Sequence, residues 1–273
     1  MLSKEREIML IKVDKKIKYL VQSIAVSALL YYYADSFSEG VNVTAIILII
    51  GVAVLGTFIV QYPNISIRNL LINILMPLHL VAGSILSLIY FPNLGLPVKI
   101  LFISFVGLGF YVVCLISNVF MVVQERSELI PLYRVAVTWG QIMMIIVAIP
   151  FFAAVYKLPI NSIIQNLITS FSAFLFSIYL VRVLMYDKET KKVGGVEYIL
   201  FSLIISFMVF SGGISASFIP TESFLRALFT STVMMLGLSY LYSHLKNSVT
   251  KKMLVQYFLI SVLFFLLLFI FKP

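Results

Sequence analysis

Nine apolar runs, each long enough to cross a bilayer and each set off from the next by a short polar segment, dominate this 273-residue chain. A helix crossing roughly 30 Å of hydrocarbon needs about 20 mainly apolar residues. Within lipid a backbone must satisfy its own hydrogen bonds, which a helix does inside one segment. The runs are Lys18–Ala34, Val43–Val60, Leu70–Phe91, Ile100–Val123, Val135–Tyr156, Ser162–Leu184, Tyr198–Ser215, Phe224–Tyr242 and Met253–Phe271. They are continuous instead of alternating, which excludes a membrane β-barrel. The expected fold is all-α: a polytopic transmembrane helix bundle of about nine spans, forming one domain over residues 18–273. The first run is the weakest, being short and interrupted by Gln22, Ser23 and Ser27.

Composition closes off the soluble alternative. Hydrophobic residues make up 62% of the chain and charged ones 11%, against roughly 25% charged in a soluble domain. Too few polar residues remain to coat a soluble fold. The single cysteine, Cys114, lies inside an apolar run, so it reads as a small packing residue with no disulfide partner in the chain.

Charge placement orients the bundle. Sixteen of the twenty basic residues fall in the N-terminal segment or in connectors on the same side of the alternation. These are Lys4, Arg6, Lys12, Lys15, Lys16 and Lys18, then Arg68, then Arg126 and Arg134. Arg182, Lys188, Lys191 and Lys192 follow, then Lys246, Lys251 and Lys252. The other side receives Lys99, Lys157, Arg226 and Lys272. Cytoplasmic loops carry excess Lys and Arg, so the N-terminus is expected inside and the C-terminus outside. The net charge of +9 is thereby a topology signal, and no nucleic-acid partner is expected. The expected location is the plasma (cytoplasmic) membrane, although the same pattern suits an organellar one. No small-residue cleavage site follows the first run, which reads Tyr31-Tyr32-Tyr33-Ala34-Asp35, so it is expected to stay as an anchor. Residues 1–17 place Met9, Leu10, Val13 and Ile17 at helical spacing among lysines. This suits a cytoplasmic amphipathic lead-in touching the membrane surface. Trp139, Tyr133 and Tyr156 fit interfacial anchors.

A faint internal echo accompanies this topology. Overlaying Asn69–Asn118 on Glu197–Lys246 sets Pro92 on Pro220, Gly109 on Gly237 and Ala82-Gly83-Ser84 on Phe210-Ser211-Gly212. Spans one to four and five to eight would then form a weak 4+4+1 parallel repeat, an arrangement transporters use.

Intramembrane polar groups mark the candidate site, because facing lipid costs them free energy. In the third run Asn73, Pro77, Leu80, Ser84 and Ser87 share one helical face. His79 sits near mid-span, two residues past a proline that removes a backbone donor and favours a kink. In the sixth, Asn166, Ser170, Ala173 and Ser177 share a face, beside Gln165, Thr169 and Ser172. The seventh carries Ser202 and Ser206, then Ser211-Gly212-Gly213, where two glycines predict an unwound stretch or a frayed end. The candidate polar cavity comprises Asn73, His79, Ser84, Asn166, Ser170, Ser206, Gly212 and Gly213. A second candidate, a cytoplasmic partner loop, is Gln124–Arg134 with Glu125, Arg126, Glu128 and Arg134.

Catalytic readings fare poorly. No carboxylate lies deep in any run, which removes the usual participant in proton or sodium coupling. A magnesium–diphosphate site in the loops after runs two and six fails, since Gln61–Arg68 holds no carboxylate and Asp187 and Glu189 form no aspartate pair at helical spacing. His79 and His244 lie about half a bilayer apart, too far for zinc. Ser239 and His244 occupy different faces of one helix. No catalytic residue, metal or cofactor is assigned. The expected function is transporter- or channel-like accommodation of a small or lipidic molecule, with the lipid bilayer and such a ligand as partners. The alternatives are a non-catalytic membrane scaffold subunit of a complex and, last, a lipid-modifying enzyme of another type.

Overall fold

The computed structural model describes residues 15–61, 70–126 and 128–271. Most of the amphipathic lead-in, with Lys4, Arg6 and Lys12, lies outside the described residues, as do Arg68 and Lys272. Among the described residues the chain is nine helices joined by short connectors. They are α1 (Lys15–Glu39), α2 (Val43–Gln61), α3 (Leu70–Tyr90), α4 (Leu96–Arg126), α5 (Leu132–Val155), α6 (Ser162–Leu184), α7 (Gly195–Ser217), α8 (Ser223–Leu245) and α9 (Lys251–Ile270). The protein is a multi-pass helical membrane bundle, and eight of these helices, α2 to α9, are long and apolar enough to cross a membrane. The ninth, α1, carries Lys15, Lys16, Lys18 and Gln22 and falls short on composition.

Helix ends follow local chemistry. Asn161 and Thr250 cap α6 and α9 by accepting from the backbone N–H groups of Ile163 (2.9 Å) and Met253 (3.2 Å). Asn42 is likewise engaged: its carbonyl caps α2 at Ala45 and its amide donates to Ser36. After α8 the chain turns at Asn247, whose φ of 51° is a left-handed conformation asparagine tolerates. At 31 residues and 1.5 Å per residue α4 is about 46 Å long, so it must tilt or project beyond a hydrocarbon layer of roughly 30 Å.

Contacts across the connectors confirm an up-and-down order. On one face Tyr186 donates to Gln124 (3.0 Å), the Lys191 N–H donates to the Leu245 carbonyl (2.9 Å), and Arg134 pairs with Glu189 at 3.9 Å. These join the ends of α4, α6 and α8 to the start of α5. On the other, Lys99 pairs with Asp35 at 2.7 Å and the Lys157 ammonium lies 5.3 Å from the Phe91 ring centre. The first is the basic face, where Arg126, Arg134, Lys188, Lys192, Lys246 and Lys251 gather.

The helices form two four-membered groups. In the first, α1 meets α2, α2 meets α3, α3 meets α4, and α4 closes on α1; in the second, α5 to α8 close in the same order. The diagonals differ, α1 against α3 in the first and α6 against α8 in the second. The groups join mainly through α3 and α4 against α5. Helix α3 is thus central and buried along nearly its whole circumference. Helix α9 packs mainly on α8, through Phe265 against Phe229 (5.2 Å between centres) and Ser261 donating to the Thr232 carbonyl.

The polar residues that weaken α1 as a span are its packing contacts. Gln22 donates to the Ala53 carbonyl (2.9 Å) and to Thr57 (3.0 Å), and Ser23 donates to the Gly107 carbonyl (2.5 Å). Glycines make the room. A Cβ on Gly56 would stand 2.8 Å from the Gln22 amide nitrogen, and one on Gly107 would strike the Ser27 hydroxyl. Small residues that let backbones approach are how helices associate where lipid supplies no hydrophobic drive.

Candidate functional site

The predicted polar residues fall into separate seams between helices, not around one midplane space. The first seam joins α3, α5 and α6 at His79. Its Nδ1 lies 2.9 Å from the Leu75 carbonyl and its Nε2 lies 3.2 Å from the Ser172 hydroxyl. A carbonyl only accepts, so Nδ1 carries a proton, while Nε2 faces the Ser172 hydroxyl. That hydroxyl also lies 3.1 Å from the Ile168 carbonyl, and its one hydrogen serves either partner. The rings of Phe151 and Phe176 flank the imidazole at 5.0 and 4.9 Å between centres. One turn on, a Cβ at Gly83 would stand 2.9 Å from the Phe151 backbone nitrogen, so α3 and α5 touch there. Ser84 spends its hydroxyl on its own helix, at the Leu80 carbonyl (2.6 Å). Replacing His79 by Phe removes both ring hydrogen bonds from a buried seam and should cost about 1–3 kcal/mol, read as a lower unfolding temperature in detergent. An unchanged temperature would show that His79 is not holding the helices.

The second seam joins α5, α6 and α7. The Asn166 carbonyl accepts from Tyr156 (3.0 Å), while its amide donates to the Ser162 carbonyl (2.8 Å) and to Ser217 (3.1 Å). Ser206 donates to the Ser170 carbonyl at 2.8 Å, and Ser170 donates back into α6 at Leu167. Helix α7 runs unbroken through Gly212 and Gly213 to Ser217, in place of the unwound stretch or frayed end. Packing overrides glycine's backbone freedom here. A Cβ on Gly213 would collide with the Asn166 carbonyl oxygen and stand 2.8 Å from the Tyr156 hydroxyl; one on Gly212 would press on Val233 of α8 at 3.3 Å. The two glycines let α7 lie close to neighbours on both sides.

Asn73 stands apart from both seams, near the basic-face end of α3. It is buried, and among the described residues neither end of its carboxamide has a hydrogen-bond partner. Gln61, at the end of α2, is buried with its carboxamide next to the Tyr19 hydroxyl.

Sequence reasoning placed Tyr156 and Tyr133 at the interface, and the structure places them inside. Both are buried tyrosines whose hydroxyls tie helices together, Tyr156 at Asn166 and Tyr133 at the Val183 carbonyl (2.8 Å), so neither is an interfacial anchor. Position near a span end was the signal, and it does not separate the two roles. Trp139 is half exposed, as an anchor would be.

The charged loop is exposed at Glu125, Arg126 and Glu128. Among the described residues, its ion pair leads out of the loop, from Arg134 to Glu189. Behind that pair lies a buried one. Asp187, nearly sealed from solvent, accepts from the Lys246 ammonium and from the Glu189 backbone N–H (3.0 Å). Burial disfavours the Asp187 charge, but the bonds from Lys246 and Glu189 and the Lys246 and Arg134 charges outweigh it and hold its carboxyl below the ordinary carboxylate range. With Tyr133, Tyr242 and Glu189 the pair borders a polar pocket of about 310 Å³. A second basic-face pocket, of about 400 Å³, opens where the two helix groups part. Gln124, Arg182, Tyr186 and Tyr198 give it a polar side and Ile72, Val181, Met185 and Val193 an apolar one. Among the described residues no cluster of three His, Cys, Asp or Glu side chains is placed to hold a metal. No protein-family model, curated protein or solved structure matches the chain.

Proposed function

We propose that this protein is a non-catalytic membrane scaffold: a rigid helical platform that positions partner proteins in the bilayer. The observation that carries this reading is the closed interior. Of the side chains predicted to line a midplane cavity, every one but Asn73 is hydrogen-bonded within the bundle, and both glycines are filled against by neighbouring helices. Such a seam resists the sliding that alternating access requires. The exposed charges of Glu125, Arg126 and Glu128 are the surface a partner would meet.

The same reading takes α1 as a ninth span and the basic face as cytoplasmic, with the N-terminus inside the plasma membrane. Its 25 residues reach about 37 Å, and Tyr19, Val26, Leu30 and Phe37 are buried between neighbours that do span. A 4+4+1 arrangement is supported by the matching closure of the two helix groups and by Gly109 and Gly237, each facing the preceding helix at Leu80 and Ile205.

The test is purification in mild detergent from the native membrane. A stoichiometric protein partner should co-purify and be lost on combined charge reversal at Glu125, Arg126 and Glu128, with the unfolding temperature unchanged. The reading fails if the chain, reconstituted alone, moves a solute and His79→Ala stops it. That second reading, a transporter-like protein for a small or lipidic molecule, is favoured by one observation. The pocket of about 400 Å³ opens between the helix groups at Ile72 of α3, the helix that also carries His79.

A further inference from the structure

The pocket between the two helix groups joins three properties that a phosphate-bearing amphiphile requires: depth, charge and division into a polar and an apolar side. Depth comes from the helix ends. Ile72 is the third residue of α3, Gln124 and Arg182 are third from the ends of α4 and α6, and Tyr198 is fourth in α7. All four lie within about one turn of the basic face, the level at which lipid headgroups meet spanning helices. Charge comes from Arg182, an exposed side chain beside Tyr186 whose guanidinium suits a phosphate bidentately. Gln124 gives its carbonyl to the Tyr186 hydroxyl, which leaves its amide hydrogens for an acceptor; Tyr198 adds a hydroxyl. Division comes from Ile72, Val181, Met185 and Val193, which complete the lining: at the end of α6 Val181 and Met185 share one helical stripe and Arg182 and Tyr186 the next. The pocket is bounded on one side by α7, whose outer face exposes Ile199, Leu200, Leu203, Ile204 and Phe207 to lipid.

We infer that this pocket is a binding site for one anionic phospholipid, its phosphate held by Arg182 with Gln124 and Tyr198, and its glycerol and first acyl carbons against Ile72, Val181 and Val193. The site stands independently of the scaffold reading, since a lipid seated between the helix groups serves a platform or a transporter alike. The chemistry in common with other ligands is a phosphate anion, and the apolar wall assigns it to a lipid in preference to free phosphate.

The experiment uses the full chain purified in detergent and delipidated, then titrated with phosphatidylglycerol, phosphatidylcholine or inorganic phosphate and read by native mass spectrometry and thermal unfolding. Phosphatidylglycerol should bind one per chain and raise the unfolding temperature. Losing the charged hydrogen bonds in Arg182→Gln should weaken it about tenfold or more. Tyr198→Phe, which removes a single hydroxyl, should weaken it about threefold, and Val193→Trp should fill the pocket and abolish it. Lys188→Gln, a nearby exposed cation outside the pocket, should leave it unchanged. Should Arg182→Gln misfold, Tyr198→Phe and Val193→Trp decide the matter. Equal binding of phosphatidylglycerol by Val193→Trp and the unaltered chain overturns the site. Equal stabilisation by phosphatidylcholine overturns the charge recognition, and equal stabilisation by inorganic phosphate overturns the assignment to a lipid.

Discussion

Gly213→Val should unfold the detergent-solubilised protein on the order of 10 °C below the unaltered chain, the largest loss expected from any single small-to-large change in the bundle. Any side chain at 213 enters space held by the Asn166 carbonyl oxygen and the Tyr156 hydroxyl. The obstacle is a side-chain tip, yet it cannot swing aside freely. Moving Asn166 gives up the bond from Tyr156 and those to Ser162 and Ser217, each worth about 1 kcal/mol. Overpacking adds about 1–3 kcal/mol, for a total near 4–6 kcal/mol; at roughly 2–4 °C per kcal/mol for a chain of this size, the shift follows. The comparison is Gly51→Ala, where a Cβ meets nothing within 4 Å. Helix propensity predicts a gain there of up to about 1 kcal/mol. A second check removes the obstacle. In Asn166→Ala the tip is gone, so adding Gly213→Ala should cost less than it does alone, the non-additivity of groups that touch. Additive losses would mean that the α6–α7 seam is not set by this contact.

The helices were legible because an apolar run of about 20 residues in lipid has essentially one solution for its backbone. The buried faces were legible too, through helical period: Asn166, Ser170, Ala173 and Ser177 all point inward on α6. What period does not carry is the partner. Tyr156 is 10 residues from Asn166, whereas Ser217 is 51 away and Asp187 is 59 from Lys246. No local pattern links such residues, because the link is made by packing. Composition also misled in a consistent direction. Gln22 and Ser23 weakened α1 as a span, and Gly212-Gly213 suggested a break in α7, yet each is where two helices approach most closely. In lipid, small and polar residues mark contact between helices as readily as they mark irregular backbone or a ligand path. Sequence alone gives the residue type common to these roles; the neighbour decides between them.

Asp187→Asn should be the second most damaging change, and the one whose effect depends on pH. The Asp187 side chain is 2% exposed and that of Lys246 19%, so removing either charge strands the other where water reaches it poorly. Breaking a buried pair from one side costs about 3–5 kcal/mol, whereas replacing both partners by apolar groups can be nearly neutral. The expected series is therefore a large loss for Asp187→Asn, a similar loss for Lys246→Met, and recovery of much of it in Asp187→Leu with Lys246→Met. The carboxyl is held below its ordinary value in the folded protein. Its contribution is fully present above the unfolded carboxylate pKa of about 4 and fades as pH falls through the lower folded value. Asp187→Asn should thus separate most from the unaltered chain at neutral pH and converge on it in acid. The readout is the unfolding temperature against pH, together with hydrogen exchange of the α6–α7 connector, which Lys191 also pins to the Leu245 carbonyl. A gap between the two chains that stays constant down to strongly acid pH would assign the loss to shape at position 187, and the ion pair would no longer account for how the connector is held against α8.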